Sequence, residues 1–339
     1  MDYLYILREA LVWIITIFWL YQLLVSLCSL VKIKDKPLKV KKDHRFMAII
    51  PAHNEEAVVG NLIESLKKQN YNKDLYDIYV IADNCTDNTA KVAKEAGAIV
   101  YKRFDETKKT KGYALNWFLQ QKIQEDADYD AFCVFDADNI VHHDFLAKMN
   151  DMINSGYSVA QGFRDTKNIS DNWLTSSYAI LYYFQSLFLN ESRYNMGRSS
   201  FLNGTGFVIK KEVIDKHGFN PKTVTEDVEF TAMCAINNEK IGFATDAITY
   251  DEQTNSFDVS WKQRKRWSFG TMECLREYFP TLLKKGIKER NFECFDVGLF
   301  YLSVISHVVF NLLPIFLLIN IIIHFNFLFC NCFMIYKNE

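Results

Sequence analysis

From Phe46 onward the sequence alternates short apolar runs with amphipathic stretches, and that alternation admits few folds. Residues 47–50, 78–82, 98–101 and 131–135 read as buried strands, and 57–69, 88–96 and 111–123 read as helices between them. Strands separated by helices at this spacing predict a parallel, doubly wound α/β sheet, whose ligands bind past the carboxyl ends of the strands. Polar clusters follow three of those ends: Pro51-Ala52-His53-Asn54-Glu55, Asp83-Asn84-Cys85-Thr86-Asp87 and Asp136-Ala137-Asp138.

In the third cluster a strand buried on both faces stops abruptly at two carboxylates one residue apart. Positions i and i+2 of extended chain point the same way, so Asp136 and Asp138 are expected to face one cation or one phosphate-bearing ligand. That arrangement suits a magnesium or manganese ion held by carboxylate oxygens and nucleotide phosphates. Taken singly, the clusters read as turn and cap residues, with Thr86 and Asp87 capping the helix from Asn88. Three acidic clusters on one sheet edge, however, repel one another unless a cation or a set of donor groups is bound there.

Lys and Arg number 39 and Asp and Glu 41 in 339 residues, a net charge of -2 that marks no nucleic-acid binder. The eight cysteines lack metal-ligand spacing and read as reduced thiols of a cytosol-facing protein. Residues 11–31 are apolar over the length needed to cross roughly 30 Å of hydrocarbon, too long for a signal peptide and without its cleavage site. Lys32, Lys34, Lys36, Lys39, Lys41, Lys42 and Arg45 follow this stretch and only Arg8 precedes it, so the N-terminus is expected outside the cell membrane and the next domain in the cytoplasm. Residues 271–296 carry apolar positions at helical spacing with a basic flank, an amphipathic element for the inner leaflet that is broken near Pro280. A second transmembrane helix over 297–323, kinked at Pro314, makes the chain multi-pass. The expected organisation is thus 1–45 membrane helix and basic linker, 46–270 α/β domain, 271–296 interface element and 297–339 membrane region.

The order Pro51-x-x-Asn54-Glu55, Asp83, Lys111-Gly112-x-Ala114-Leu115-Asn116, Asp136-x-Asp138, Thr225-Glu226-Asp227 and Gln263-x-x-Arg266-Trp267 resembles the inverting family 2 glycosyltransferases. Within them it is similar to the membrane-embedded synthases of cellulose, hyaluronan, chitin, poly-N-acetylglucosamine and bacterial exopolysaccharides. Residues 160–168 and the run Leu202-Asn203-Gly204-Thr205-Gly206-Phe207 resemble a bacterial exopolysaccharide subgroup. The resemblance covers about residues 46–270 and implies a Rossmann-like GT-A domain, a UDP-sugar donor and a glycan or lipid acceptor.

It also implies roles. Glu55 and Asp83 are expected on the uridine, with Lys111 holding the base. A magnesium or manganese ion on Asp138, with Asp136 nearby, would offset charge on the leaving diphosphate, and Arg266 would add a guanidinium to it. Trp267 would wall the acceptor sugar, with Gln263, Glu226, Gly204 and Thr205 on the same acceptor side. Asp227 is the candidate general base, since inversion needs one carboxylate to deprotonate the attacking hydroxyl. It also fits the dipole-favoured first turn of a helix capped by Thr225.

The aromatic segment 173–189 reads equally as a helix packed on the sheet or as an acceptor-channel helix, and the His142-His143 pair as a solvated turn. The resulting expectation is a sugar transfer from a UDP-sugar to a growing β-linked polysaccharide at the inner face of the membrane. The rivals are a non-processive glycolipid or lipid-linked sugar transferase and an inactive truncated synthase subunit. A polysaccharide pore needs several helices, so a homo-oligomer or a synthase complex is the expected assembly.

Overall fold

The computed structural model describes residues 2–31, 41–125 and 127–305. The basic linker 32–40 and the predicted second membrane helix beyond residue 305, including Pro314, lie outside them. In chain order the regular elements begin with α1 (Asp2–Leu27), β1 (Phe46–Ala52), α2 (Val59–Lys67), β2 (Tyr76–Asp83), α3 (Thr89–Glu95) and β3 (Ile99–Arg103). Next come α4 (Lys111–Gln124), β4 (Ala131–Val134), β5 (Ile140–Val141), α5 (Phe145–Asn154), β6 (Val159–Thr166) and α6 (Trp173–Phe184). A π-helical turn, Gln185–Glu191, leads into α7 (Ser192–Asn195), β7 (Phe207–Lys210), α8 (Lys211–His217), α9 (Glu226–Ile236), β8 (Ile241–Asp251) and α10 (Phe257–Lys288). Residues 292–305 are again helical.

The strands form one sheet in the order β3-β2-β1-β4-β7-β6-β8-β5. Its first four strands are parallel, as the alternation predicts. The expectation of a wholly parallel sheet is corrected beyond them: β7 runs antiparallel to both β4 and β6, and β5 antiparallel to β8. Between β4 and β7 the chain passes through β5, α5, β6, α6 and α7. It re-enters through the turn at Gly204 and Gly206, and Gly206 N donates to Val134 O at 2.9 Å.

Alternation along β1 explains why both faces are covered. Phe46, Ala48 and Ile50 pack with Leu62, Leu66, Phe145 and Met149 of α2 and α5, while Met47 and Ile49 pack with Leu115 and Phe118 of α4 and Phe230 of α9. A third cluster joins α9 to α10 and the 292–305 helix through Ala235, Cys274, Tyr278, Leu282, Val297 and Tyr301.

Two local expectations change. β4 ends at Val134, so Asp136 and Asp138 sit in a turn closed by Asn139 N donating to Asp136 O at 3.1 Å, not on extended chain. The predicted break at Pro280 is absent: α10 runs unbroken from Phe257 to Lys288 and contains both the Gln263-x-x-Arg266-Trp267 motif and that proline. A proline inside a helix costs about 3 kcal/mol. Cys274, Tyr278 and Leu282, four residues apart on one buried face, offset that cost by packing on either side of it.

Val12–Leu30 is long and apolar enough to cross a membrane, with mean hydropathy 1.9 and 6% of it buried. Its docking to the rest of the chain is polar. Arg193 and Asp296, both almost wholly buried, pair through Nε to Oδ2 at 2.7 Å and Nη2 to Oδ1 at 3.1 Å, and Tyr21 Oη donates to Asp296 Oδ1 at 2.6 Å.

Candidate active site

The loop between α7 and β7 is the feature that assembles the site. Thr205, fully buried, accepts from Asp136 N through Oγ1 at 2.9 Å and donates to Asn139 Oδ1, so it braces the acidic turn. Gly204, at φ 92°, turns its carbonyl to Lys111 Nζ at 2.5 Å. A β-carbon on Gly204 would lie 3.4 Å from Asp227 Oδ2, so the missing side chain leaves that carboxylate uncovered.

Lys111 opens α4 and is the hub. Its ammonium reaches Asp136 Oδ1 at 2.5 Å and Glu226 Oε1 at 3.6 Å, with 20% of the side chain exposed. Burial opposes that charge, yet Asp136, Glu226 and Asp227 together hold the Lys111 pKa above its ordinary value. Glu226 and Asp227 occupy the first turn of α9. Burial pushes the Glu226 carboxyl up to about 7 against the pull of Lys111, with the Asp227 charge adding to the rise. Burial also raises Asp227, and the Val228 N–H, Lys111 and Arg164 partly offset this. Thr225 stands at the N-cap position without the expected side-chain hydrogen bond. A β-carbon on Gly270 of α10 would lie 2.4 Å from Thr225 Oγ1, so the start of α9 is wedged against α10.

On the other side of Asp136, a register shift between Gly162 and Phe163 separates the two halves of the β6–β8 pairing. Just beyond it Arg164 pairs with Asp251 through Nε, donates from Nη1 to Asn203 O at 2.7 Å and stacks 4.0 Å over the Tyr182 ring. Asn139 Nδ2 bridges Asp251 Oδ1 at 2.7 Å and Asp138 Oδ1 at 3.2 Å. Burial first, then the charges of Asp136 and Asp251, push the Asp138 carboxyl up to about 7. Asp136, Asp138 and Asp251 face the Arg164 guanidinium and the Lys111 ammonium, and the carboxylate oxygens of Asp138 and Asp136 are donors of the kind a hard divalent cation takes.

The remaining expected residues lie further along the same edge. Glu55 is raised by burial and by Asp136 and Asp87. The buried Asp83 carboxylate accepts from Arg103 Nη1 at 2.6 Å. Asp87 accepts from Thr89 N at 3.0 Å just ahead of α3, whose N-cap residue is Asn88 and makes no side-chain cap bond, whereas Thr86 N donates to Asn54 Oδ1. His142 and His143 stack at 4.1 Å beside Asp144, away from these groups.

One cavity of about 640 Å³ collects Lys111, Asp136, Gly204, Glu226, Asp227, Gln263, Arg266 and Trp267, together with Arg164, Tyr182 and Asn203. Glu55, Asp83, Asp138 and Thr205 are not among its lining residues. Thr205 is therefore a brace for the acidic turn and not a wall of the cavity, a correction to its expected place beside an acceptor. Trp267 meets Tyr178 edge-on at 6.2 Å, and Tyr178 stacks on Tyr182. Sequence reasoning missed Arg164, Asp251, Asn139 and Arg103, and placed Tyr182 only within the aromatic segment 173–189. Arg164 stood inside a run already noted, and Asn139 directly after the acidic pair, but Asp251 carries no local signal.

Solved structures share this architecture. The mannosyltransferase PcManGT from Pyrobaculum calidifontis, in complex with GDP-Man and Mn2+, aligns with TM-score 0.60 and 16% identity over 86% of this chain and 83% of that one. S. aureus TarS 1–349 in complex with UDP-GlcNAc aligns with TM-score 0.56 and 18% identity over 77% and 72%. Sheet order and likeness together define a GT-A-like mixed α/β fold.

The chain belongs to the glycosyltransferase like family 2, which it matches over residues 44–270, and it is a glycosyltransferase. Among its relatives is a probable glycosyltransferase, YdaM, of Bacillus subtilis (strain 168), 26% identical over 80% of this chain and 67% of that protein. A β-monoglucosyldiacylglycerol synthase of Nostoc sp. (strain PCC 7120) is 26% identical over 76% of the chain and 54% of that protein. A poly-β-1,6-N-acetyl-D-glucosamine synthase of Staphylococcus aureus (strain COL) is 25% identical over 70% and 57%. The chain thus spans roughly half to two thirds of the length of these relatives.

Proposed function

We propose that the chain is a membrane-anchored, metal-dependent, inverting glycosyltransferase that moves a sugar from a UDP-sugar to an acceptor hydroxyl at the inner face of the membrane. The observation that carries this is a cavity in which Lys111 links Asp136 to Glu226 and which Asp227 also lines. Glu55 and Asp83 hold the uridine at the outer end of the sheet edge, and Arg266 faces the diphosphate. Asp138 and Asp136 would hold a divalent cation, whose chemistry there would be Lewis-acid neutralisation of the diphosphate.

Asp227 takes the proton of the acceptor hydroxyl as its oxygen attacks the anomeric carbon. The bond from that carbon to the diphosphate breaks on the opposite face, its electron pair leaving with UDP, so the configuration inverts. Burial that raises the Asp227 carboxyl strengthens it as a base. Trp267 and Gln263 flank the acceptor.

Relatives named as a glycolipid synthase and as a polysaccharide synthase bracket the acceptor, a lipid hydroxyl or the end of a growing β-linked glycan. The test is UDP release by the purified chain from UDP-glucose, UDP-N-acetylglucosamine, UDP-galactose and UDP-glucuronate, with sizing of the product. No release from any of the four would sink the reading. Protease added to sealed inverted vesicles should cleave between residues 46 and 290, and protection there would reverse the orientation.

A further inference from the structure

The cavity that holds Asp136 and Asp227 does not end at the α/β domain. Its far wall is Trp19, Gln22 and Ser26 of α1, the helix apolar enough to cross a membrane. Leu181, Phe184, Phe188, Leu189 and Phe300 line the space near that end, and Tyr182 and Asn203 line it with Arg164. Two polar groups that α1 contributes, Ser26 Oγ and Gln22 Oε1, are engaged by protein. Ser26 Oγ lies 2.8 Å from Gln22 O and 3.3 Å from Phe188 O, and Gln22 Oε1 accepts from Arg193 Nη2 at 3.4 Å. A sugar at this end would meet aromatic and aliphatic walls and find these hydrogen-bonding partners occupied.

The outer side of α1 is equally apolar. Ile14, Ile17, Leu20, Leu23, Leu24 and Leu27 are exposed, with nothing among the described residues over them. One helix therefore presents hydrocarbon-compatible surface outward and a wall of the cavity inward. Its position is fixed by the buried Arg193, Asp296 and Tyr21 cluster, which ties it to α7 and to the 292–305 helix.

We infer that α1 is part of the acceptor subsite, and that the acceptor offered to Asp227 carries a hydrocarbon portion lodged between α1 and the 184–189 segment. The inference rests on the proposed transferase reading and narrows its acceptor to a lipid-borne hydroxyl. The chain-borne hydroxyl reaches Asp227 at the polar end while its apolar part stays beside the helix that faces the bilayer. Phe184 and Ser26 then set how much hydrocarbon the site accepts.

The experiment uses the full chain in lipid nanodiscs with the UDP-sugar it hydrolyses or transfers. The acceptors are methyl, octyl and dodecyl β-glucoside, cellobiose and dioleoylglycerol. Expected is a rise in kcat/KM of at least tenfold from methyl to octyl β-glucoside, with cellobiose no better than the methyl compound. Ser26→Trp, which fills the α1 end, and Phe184→Ser, at an exposed position that tolerates the change, should each raise KM for the octyl acceptor at least fivefold. KM for the UDP-sugar should move less than twofold in both. Equal use of methyl glucoside, cellobiose and octyl glucoside overturns the inference and leaves transfer to a glycan standing. Variants that shift donor and acceptor KM together also overturn it. Absence of UDP release with every acceptor overturns the transferase reading itself.

Discussion

Lys111 Nζ lies 2.5 Å from Asp136 Oδ1, and through that contact a single ammonium joins the acidic turn after β4 to the start of α9. Removing it strands three carboxylates in one partly closed cavity. Lys111→Met should therefore lower the thermal midpoint more at pH 8 than at pH 5, because protonation at the lower pH relieves the repulsion. Equal losses at both pH values, read by calorimetry, would mean that the lysine acts through packing alone.

Asp227 faces the cavity where Gly204 leaves it uncovered. Asp227→Asn keeps shape and removes the base, so kcat should fall by about 10²–10⁴-fold. Affinity for UDP, measured by titration calorimetry, should stay within a few fold. Retained turnover would remove Asp227 from the chemistry.

Glu226 tests the electrostatics from both sides. Burial pushes its carboxyl up to about 7 from the ordinary 4.5, so its contribution to stability is intact below about pH 4.5 and is lost as the pH rises through 7. Glu226→Gln should therefore stabilise the fold at pH 8 and leave it unchanged at pH 4. A gain in the thermal midpoint that is the same at pH 4 and pH 8, read by calorimetry, would show that the Glu226 charge plays no part.

The carboxylate oxygens of Asp138 and Asp136 predict a metal requirement. EDTA should abolish transfer and added manganese or magnesium restore it, while Asp138→Asn should raise the metal concentration needed for half activity at least tenfold. Full activity after exhaustive chelation would reject the assignment.

Gly270 packs where a β-carbon would overlap Thr225, two residues from Asp227. Gly270→Ala should cost about 1–3 kcal/mol of stability through overpacking. It should also lower kcat more than it raises KM for the UDP-sugar, since the displaced turn carries Asp227. A loss of stability with unchanged kcat would separate the wedge from the chemistry.

Much of this architecture is legible in the sequence because local periodicity dictates it. The run from Met47 to Ile50 and the amphipathic stretch after Lys111 each specify their element before any partner is known. What escaped was set by long-range contact. The reversal of β7 depends on Gly204 and Gly206 laying their loop across the end of β4, and no periodicity encodes that. Asp251 is one of two acids at a strand end, with nothing to mark it out until Arg164, 87 residues earlier, meets it. Pro280 reads as a helix breaker unless the packing of Tyr178's neighbour α10 is known, where Cys274, Tyr278 and Leu282 hold the helix together. The candidate site divides in the same way: Lys111, Asp136, Asp227 and Arg266 are visible as motifs, whereas Tyr182 and Asn203 emerge only as walls of a shared space.

The continuity of α10 makes it a rod. At 1.5 Å per residue its 32 residues span about 48 Å, and the Gly270 contact divides it into a short arm bearing Arg266 and Trp267 and a long arm ending in Lys284, Lys285 and Lys288. Cys274, Tyr278 and Leu282 clamp the long arm against α9 and the 292–305 helix, so the basic end and the tryptophan are parts of one stiff frame.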